Sequence, residues 1–210
     1  TGLVDIMKFS NNISIIGIGR LGLCFSLFLE KAGYNVVGVD LNEDYVTSLN
    51  NKSFTTVEPH VDGLLKQAKN FEATTNLNKA VQHSDLIFLL VATPSLDNGR
   101  YDHSQVERVI ENIKSLGKQE RKKHLVVACT TMPGFCDTLP DKVDGLNYTI
   151  NYNPEFIAQG TIFTDQLNPE FVLIGEGSQE AGDWLQEIYE VATHSNPRIC
   201  RMKRMEAEIC

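Results

Sequence analysis

Disulfide and zinc chemistry have no foothold in this chain. Its five cysteines, Cys24, Cys129, Cys136, Cys200 and Cys210, are odd in number and form no C-x-x-C pair, which argues against a disulfide framework and against a structural metal site. Basic charge is short as well: 19 Lys and Arg against 27 Asp and Glu leave a net charge of −8. Without a basic face, neither nucleic acid nor an anionic membrane is an expected partner. No uninterrupted apolar run reaches membrane-spanning length, and residues 1–12 lack the charged and apolar regions of a secretory signal. A reducing, cytoplasmic setting fits these absences, and Met7 suits a natural start with residues 1–6 as a leader. Internal repeats and low-complexity tracts are also missing, which excludes solenoids and leaves one folded unit.

What is present is a core-forming chain of 210 residues, 42% hydrophobic, enough for one large domain or one and a half. Short apolar runs alternate with segments of helical periodicity. Residues 13–16, 35–39, 71–74, 85–91, 124–128, 148–151 and 171–175 read as strands. Residues 21–32, 43–50, 63–69, 77–82, 104–116 and 179–192 carry apolar residues at helical spacing. Such alternation implies an α/β fold, a parallel sheet covered on both faces by right-handed crossovers. Ser104 with Glu107 reads as a capping box, and Gly117 as the stop of the same helix. Residues 202–210 read as the opening of a further helix.

The most informative stretch is Gly17-Ile18-Gly19-Arg20-Leu21-Gly22, which follows the strand at 13–16 and opens the helix at 21–32. A dinucleotide's pyrophosphate sits against backbone N–H groups at a helix N-terminus. The turn therefore needs residues without a Cβ where the chain bends, where it meets phosphate, and where helix packs on strand. The second strand ends on Asp40, about 20 residues past the glycines, where a carboxylate accepts hydrogen bonds from adenosine ribose hydroxyls and repels a 2′-phosphate. Together they predict a doubly wound, Rossmann-type domain over residues 7–200. The cofactor is expected to be NAD, held by Gly17, Ile18, Gly19, Arg20, Leu21, Gly22 and Asp40.

In open α/β sheets, ligands lie beyond the carboxyl ends of the strands. Ala92-Thr93-Pro94 ends the fourth strand with a shape suited to a cofactor's ribose and nicotinamide side, although an ordinary strand-ending turn has the same composition. Cys129-Thr130-Thr131 ends the fifth, bringing hydroxyls that hold a water or a substrate hydroxyl without charge. Cys129 and Cys136 have no basic neighbour in sequence and read as small buried thiols rather than nucleophiles. After the sixth strand comes Asn153-Pro154-Glu155-Phe156-Ile157-Ala158-Gln159-Gly160, a carboxylate fixed between proline and phenylalanine. Desolvation in a cleft would raise its pKa toward neutrality, as proton exchange requires.

This last loop resembles the Asn-Pro-Glu-Phe-Leu-x-Glu-Gly loop of the UDP-glucose/GDP-mannose dehydrogenase family. Val57-Glu58-Pro59, Val91-Ala92-Thr93-Pro94, Cys129-Thr130 in place of that family's Ser-Thr, and residues 165–175 are similar to its motifs in the same order. The resemblance spans residue 13 to about Cys210 and implies that residues 201–210 begin the helix joining the family's two domains. It implies oxidation of a nucleotide sugar's C6 alcohol to the carboxylate with two NAD, serving polysaccharide precursor synthesis. It also implies that Thr93 and Thr130 line the nicotinamide side. Glu155, Thr130 and Gln159 would be the catalytic set, and Glu155, Phe156, Ile157 and Ala158 the substrate contacts. Gly160 points to UDP-glucose rather than GDP-mannose, and Phe156 away from UDP-N-acetylhexosamines. The family would be homodimeric at full length.

Two departures qualify what the resemblance implies. Gln159 stands where many relatives carry glutamate, and an amide orients a water but cannot take its proton, so more of that work falls to Glu155. The family's catalytic lysine and asparagine would follow Cys210, and its nucleophilic cysteine segment has no counterpart here. The expectation is the NAD-binding half of an enzyme, inactive alone. The alternative is a non-catalytic NAD-sensing module.

Overall fold

The computed structural model describes residues 7–157 and 160–210. Three parallel strands form its first half: β1 (Asn12–Ile16), β2 (Asn35–Val39) and β3 (Phe71–Thr74), joined by helices α1 (Arg20–Lys31), α2 (Glu43–Asn50) and α3 (Val61–Gln67). The chain then crosses through α4 (Leu77–His83) to β4 (Leu86–Leu89), α5 (Ser104–Ser115), β5 (Lys123–Val127) and β6 (Tyr148–Tyr152). After α6 (Ile162–Leu167) come β7 (Phe171–Glu176), α7 (Gln179–Ala192), β8 (Arg198–Lys203) and α8 (Arg204–Ile209). The sheet order is β3-β2-β1-β4-β5-β6-β7-β8. Its first six strands have the doubly wound order, with the switch point between β1 and β4, where a crevice opens at the strands' carboxyl ends.

Both faces of the sheet are buried, so alternate residues of one strand serve different cores. Phe88 and Val126 pack with α1, α6 and α7, whereas Ile87, Leu89, Leu125 and Val127 pack with α4 and α5. Each fully buried aliphatic or aromatic side chain contributes about 1.5–3 kcal/mol, and an all-apolar strand such as β4 is the result. The polar exception in β1, Ser14, is buried and donates its hydroxyl to the Ala80 carbonyl at 2.6 Å.

Three features differ from the sequence reading. First, β7 pairs antiparallel with β6 through Tyr152 and Gly175, and β8 parallel with β7. The last two strands thus run against the other six; a strand's composition carries no direction. Second, residues 198–203 form an edge strand, so the helix expected from Met202 begins at Arg204 and the division expected at residue 200 falls inside β8. Arg198, Arg201 and Lys203 hide the strand pattern, and charge of this kind is how edges avoid pairing with other chains. Third, no capping box forms at α5: the Ser104 N–H donates to Asp102 Oδ1 at 2.8 Å, while Glu107 pairs with Lys142. Gly117 ends that helix as expected, in the left-handed region at φ +78.

Candidate NAD and nucleotide-sugar site

The turn after β1 is shaped by what cannot fit in it. Gly17 sits at φ +95 and donates its N–H to the Val39 carbonyl at 2.9 Å; a Cβ there would lie 2.6 Å from the Leu90 carbonyl oxygen. At Gly22 a Cβ would lie 1.9 Å from the Gly17 oxygen, so the first turn of α1 can close on the loop only with glycine. Gly19, the N-cap of α1, is the opposite case: a Cβ would meet nothing within 4 Å. Its backbone lines an open cavity of about 370 Å³ with Gly17, Asp40, Ala92 and, from α5, Arg108. α1 has neither a side-chain N-cap hydrogen bond nor an acidic residue in its first turn, so its positive end is left for an anion.

Ile18 turns the other way. Its side chain is fully buried against Gly38 of β2, and its carbonyl accepts the Tyr45 hydroxyl at 2.6 Å. It therefore braces the loop from behind. Arg20 and Leu21 are exposed on the first turn of α1. Asp40 stands at the cavity wall with Oδ1 accepting the Asn42 N–H at 2.9 Å. The cradle fits a dinucleotide: bare backbone and a helix end for pyrophosphate, and a carboxylate one strand away for ribose.

Thr93 and Thr130 are brought together, the Thr93 hydroxyl donating to the Thr130 carbonyl at 2.7 Å. Pro94 is exposed beside them and its carbonyl accepts the Asp102 N–H at 2.8 Å. The Thr130 loop is tied from elsewhere too: the Met132 N–H donates to His103 Nε2 at 3.1 Å, under a ring stacked on Phe135 at 3.8 Å. Burial lowers the His103 pKa against the pull of Glu107, Glu208 and Asp102, in keeping with a neutral acceptor. Cys129 is buried and its thiol pushed up to about 12 by desolvation, and the Cys136 thiol is raised further by burial and by Glu208. Neither is a thiolate nucleophile in this setting.

Glu155 leaves the neighbouring strand β6 but turns into a different space. It is half-buried in a cavity of about 560 Å³ lined by Phe25, Phe28, Phe156, Gln166 and Tyr189, with no wall shared with the Asp40 cavity. The Gln166 amide donates to its two oxygens at 3.3 and 3.4 Å. Desolvation nonetheless pushes the carboxyl up to about 8, the Gln166 contact offsetting only part. Phe156 is exposed with its ring 5.1 Å from Phe171, and Ile157 packs at the margin of the core. Ala158 and Gln159 lie outside the described residues.

Sequence reasoning assigned no role to Glu58, Gln166, His103 or Glu208. Glu58 is buried, its carboxylate accepting the Gly160 and Ile162 N–H groups at 3.1 and 3.0 Å. It thereby anchors the end of the Glu155 loop. A carboxylate flanked by Val57 and Pro59 was the available signal; its partners, over 100 residues on, were not.

Fold order, glycine turn and the Asp40 carboxylate at the cavity wall define a dinucleotide-binding domain of the Rossmann class. Residues 11–193 match the model of the UDP-glucose/GDP-mannose dehydrogenase family, NAD binding domain, and the chain belongs to that family. It is 32% identical over 189 residues to the GDP-mannose 6-dehydrogenase of Pseudomonas aeruginosa, covering 84% of this chain and 43% of that protein. Over 203 residues it is 28% identical to the UDP-glucose 6-dehydrogenase of Rickettsia bellii, covering 94% and 46%. The crystal structure of a ternary complex of the P. aeruginosa GDP-mannose dehydrogenase superposes with a TM-score of 0.86 at 31% identity, over 94% of this chain and 48% of that one. A UDP-glucose dehydrogenase from Pyrobaculum islandicum gives 0.85 at 25% identity, over 97% and 49%. The chain thus spans about half the length of these relatives.

Proposed function

We propose that this chain is the cofactor-binding half of an NAD-dependent nucleotide-sugar 6-dehydrogenase, which oxidises the C6 alcohol of a nucleoside-diphosphate hexose to the carboxylate. The observation that carries it is the convergence of Gly17, Gly19, Asp40 and Ala92 on one cavity at the sheet's switch point. In this reading Gly17–Gly22 hold the pyrophosphate and Asp40 the adenosine ribose, which favours NAD over NADP. NAD held there would supply the hydride acceptor for the sugar carbon. Thr93 fixes the Thr130 backbone, so that the Thr130 hydroxyl positions a substrate hydroxyl or a water. Glu155 faces the sugar side from its own cavity, where its ionised form, the minor one near neutral pH, takes the proton that the C6 hydroxyl gives up; Gln159 orients a water, and residues 156–158 lie along the sugar nucleotide.

UDP-glucose is the proposed sugar on the strength of Gly160; similarity to the Pseudomonas enzyme supports GDP-mannose as the second reading. Homodimerisation of the whole protein is part of the proposal, with exposed Met205 and Ile209 on α8 as its support. The test is NADH formation from UDP-glucose and from GDP-mannose, by the chain alone and with the C-terminal half of a relative added. Turnover restored only in the mixture is the expected result. NAD binding with no oxidation in any combination would instead favour an NAD-sensing module.

A further inference from the structure

We infer that Glu208 of α8 is a positioning residue for the nicotinamide-side loop, fixing Thr130 by gripping the segment that follows it. This rests on the proposed placement of Thr130 beside the cofactor. Glu208 Oε1 accepts the Thr131 hydroxyl at 2.7 Å and the Cys136 N–H at 2.9 Å, and Oε2 accepts the Gly134 N–H at 2.7 Å. Three donors from one loop thus converge on one carboxylate from a helix more than 70 residues away. The Gly134 and Cys136 N–H groups border the short 3-10 turn Cys136–Thr138, which has no side-chain cap of its own. Ion-assisted bonds of this length are about twice as strong as neutral ones.

The residue so gripped is next to Thr130, whose carbonyl is held from the other side by Thr93. The Thr131 N–H donates to the Tyr152 hydroxyl at 3.3 Å. Thr130 is therefore pinned between β4's loop and α8. The helix itself has a fixed seat: Ala207 is buried, and a Cβ at Gly175 would lie 2.8 Å from the Arg204 Cα. Arg204 Nε adds a 2.7 Å bond to Asp137, within the same turn. Any displacement of α8 is thereby transmitted to the Thr130 hydroxyl, while the Gly17–Gly22 turn and Asp40, on other strands, are left in place.

That asymmetry gives the test. Glu208→Gln keeps an oxygen for Thr131 and Cys136 but sets an N–H₂ against the Gly134 N–H. Binding of NAD⁺ and of ADP-ribose, which lacks the nicotinamide, is measured by calorimetry on wild type, Glu208→Gln and Thr131→Val, with amide NMR shifts of Gly134 and Cys136 as the structural readout. The variants should lose the preference for NAD⁺ over ADP-ribose by roughly tenfold, the size of about one hydrogen bond, with ADP-ribose affinity unchanged. Equal loss for both ligands, or an unchanged preference, overturns the inference; a variant that does not fold is replaced by Thr131→Val, which keeps both amide bonds. A wild-type chain that binds ADP-ribose as tightly as NAD⁺ would instead refute the placement of Thr130.

Discussion

Glu155→Gln should make the protein more stable at neutral pH and no more stable in acid. In the unfolded chain the carboxyl ionises around 4.5, whereas burial among Phe25, Phe28 and Tyr189 keeps it protonated in the fold up to about 8. Between those values the native state carries one proton more than the unfolded state, so stability falls as pH rises. Integrated to pH 7 at about 1.4 kcal/mol per pH unit, this one group costs about 3 kcal/mol relative to pH 4. Glutamine is neutral in both states and nearly isosteric, so the variant lacks that slope. Urea unfolding followed by the single tryptophan, Trp184, should give equal stabilities at pH 4 and a variant about 3 kcal/mol more stable at pH 7. A destabilising carboxyl at this place is what a proton-exchanging group would look like, since sites tuned for chemistry give up stability for it. Equal stabilities at pH 7, or a Glu155 carboxyl titrating near 4.5 by carbon NMR, would refute the reasoning.

The two indispensable-looking glycines should fail in different ways. Gly22→Ala drives a Cβ into the Gly17 carbonyl and should cost at least about 2 kcal/mol in denaturant unfolding. Gly19→Ala meets no protein atom, so it should leave the unfolding midpoint unchanged while weakening NAD binding by calorimetry. His103 and His124 both have lowered pKa values, from burial first, despite Glu107 and Glu208 near one and Glu180 near the other. The unfolded state then takes up protons first as pH falls below about 6.5, so stability should drop on that side, more shallowly in His103→Gln; no change between pH 7 and 5.5 in the Glu155→Gln background would contradict this.

Much of the candidate cofactor site's geometry was legible because its requirements are local. Gly17, Gly19 and Gly22 answer to backbone geometry within one turn, and Asp40 to the length of one strand-helix-strand unit. Glu155 was legible through a contiguous motif, and its environment of Pro154 and Phe156 already implied desolvation. What stayed hidden depends on distant partners. Glu58 finds Gly160 and Ile162 across more than 100 residues, and Glu208 meets Thr131, Gly134 and Cys136 across more than 70. Nothing in the neighbours of either carboxylate signals those amides. β8 escaped for another reason: an edge strand needs no continuous apolar face, and its charged residues left periodicity with little to detect. The Ser104 capping box failed because a second acceptor, Asp102, stood two residues upstream and Lys142, from another segment, claimed Glu107.

The most direct test of the central claim is a calorimetric titration of NAD⁺ and NADP⁺ into the wild-type chain and into Asp40→Ala. Saturable one-site binding of NAD⁺, much weaker binding of NADP⁺, and loss of that preference in the variant are predicted. Absence of binding heat for NAD⁺ with folded protein, confirmed by a silent NADH fluorescence titration, or a preference untouched by removal of the Asp40 carboxylate, would contradict it.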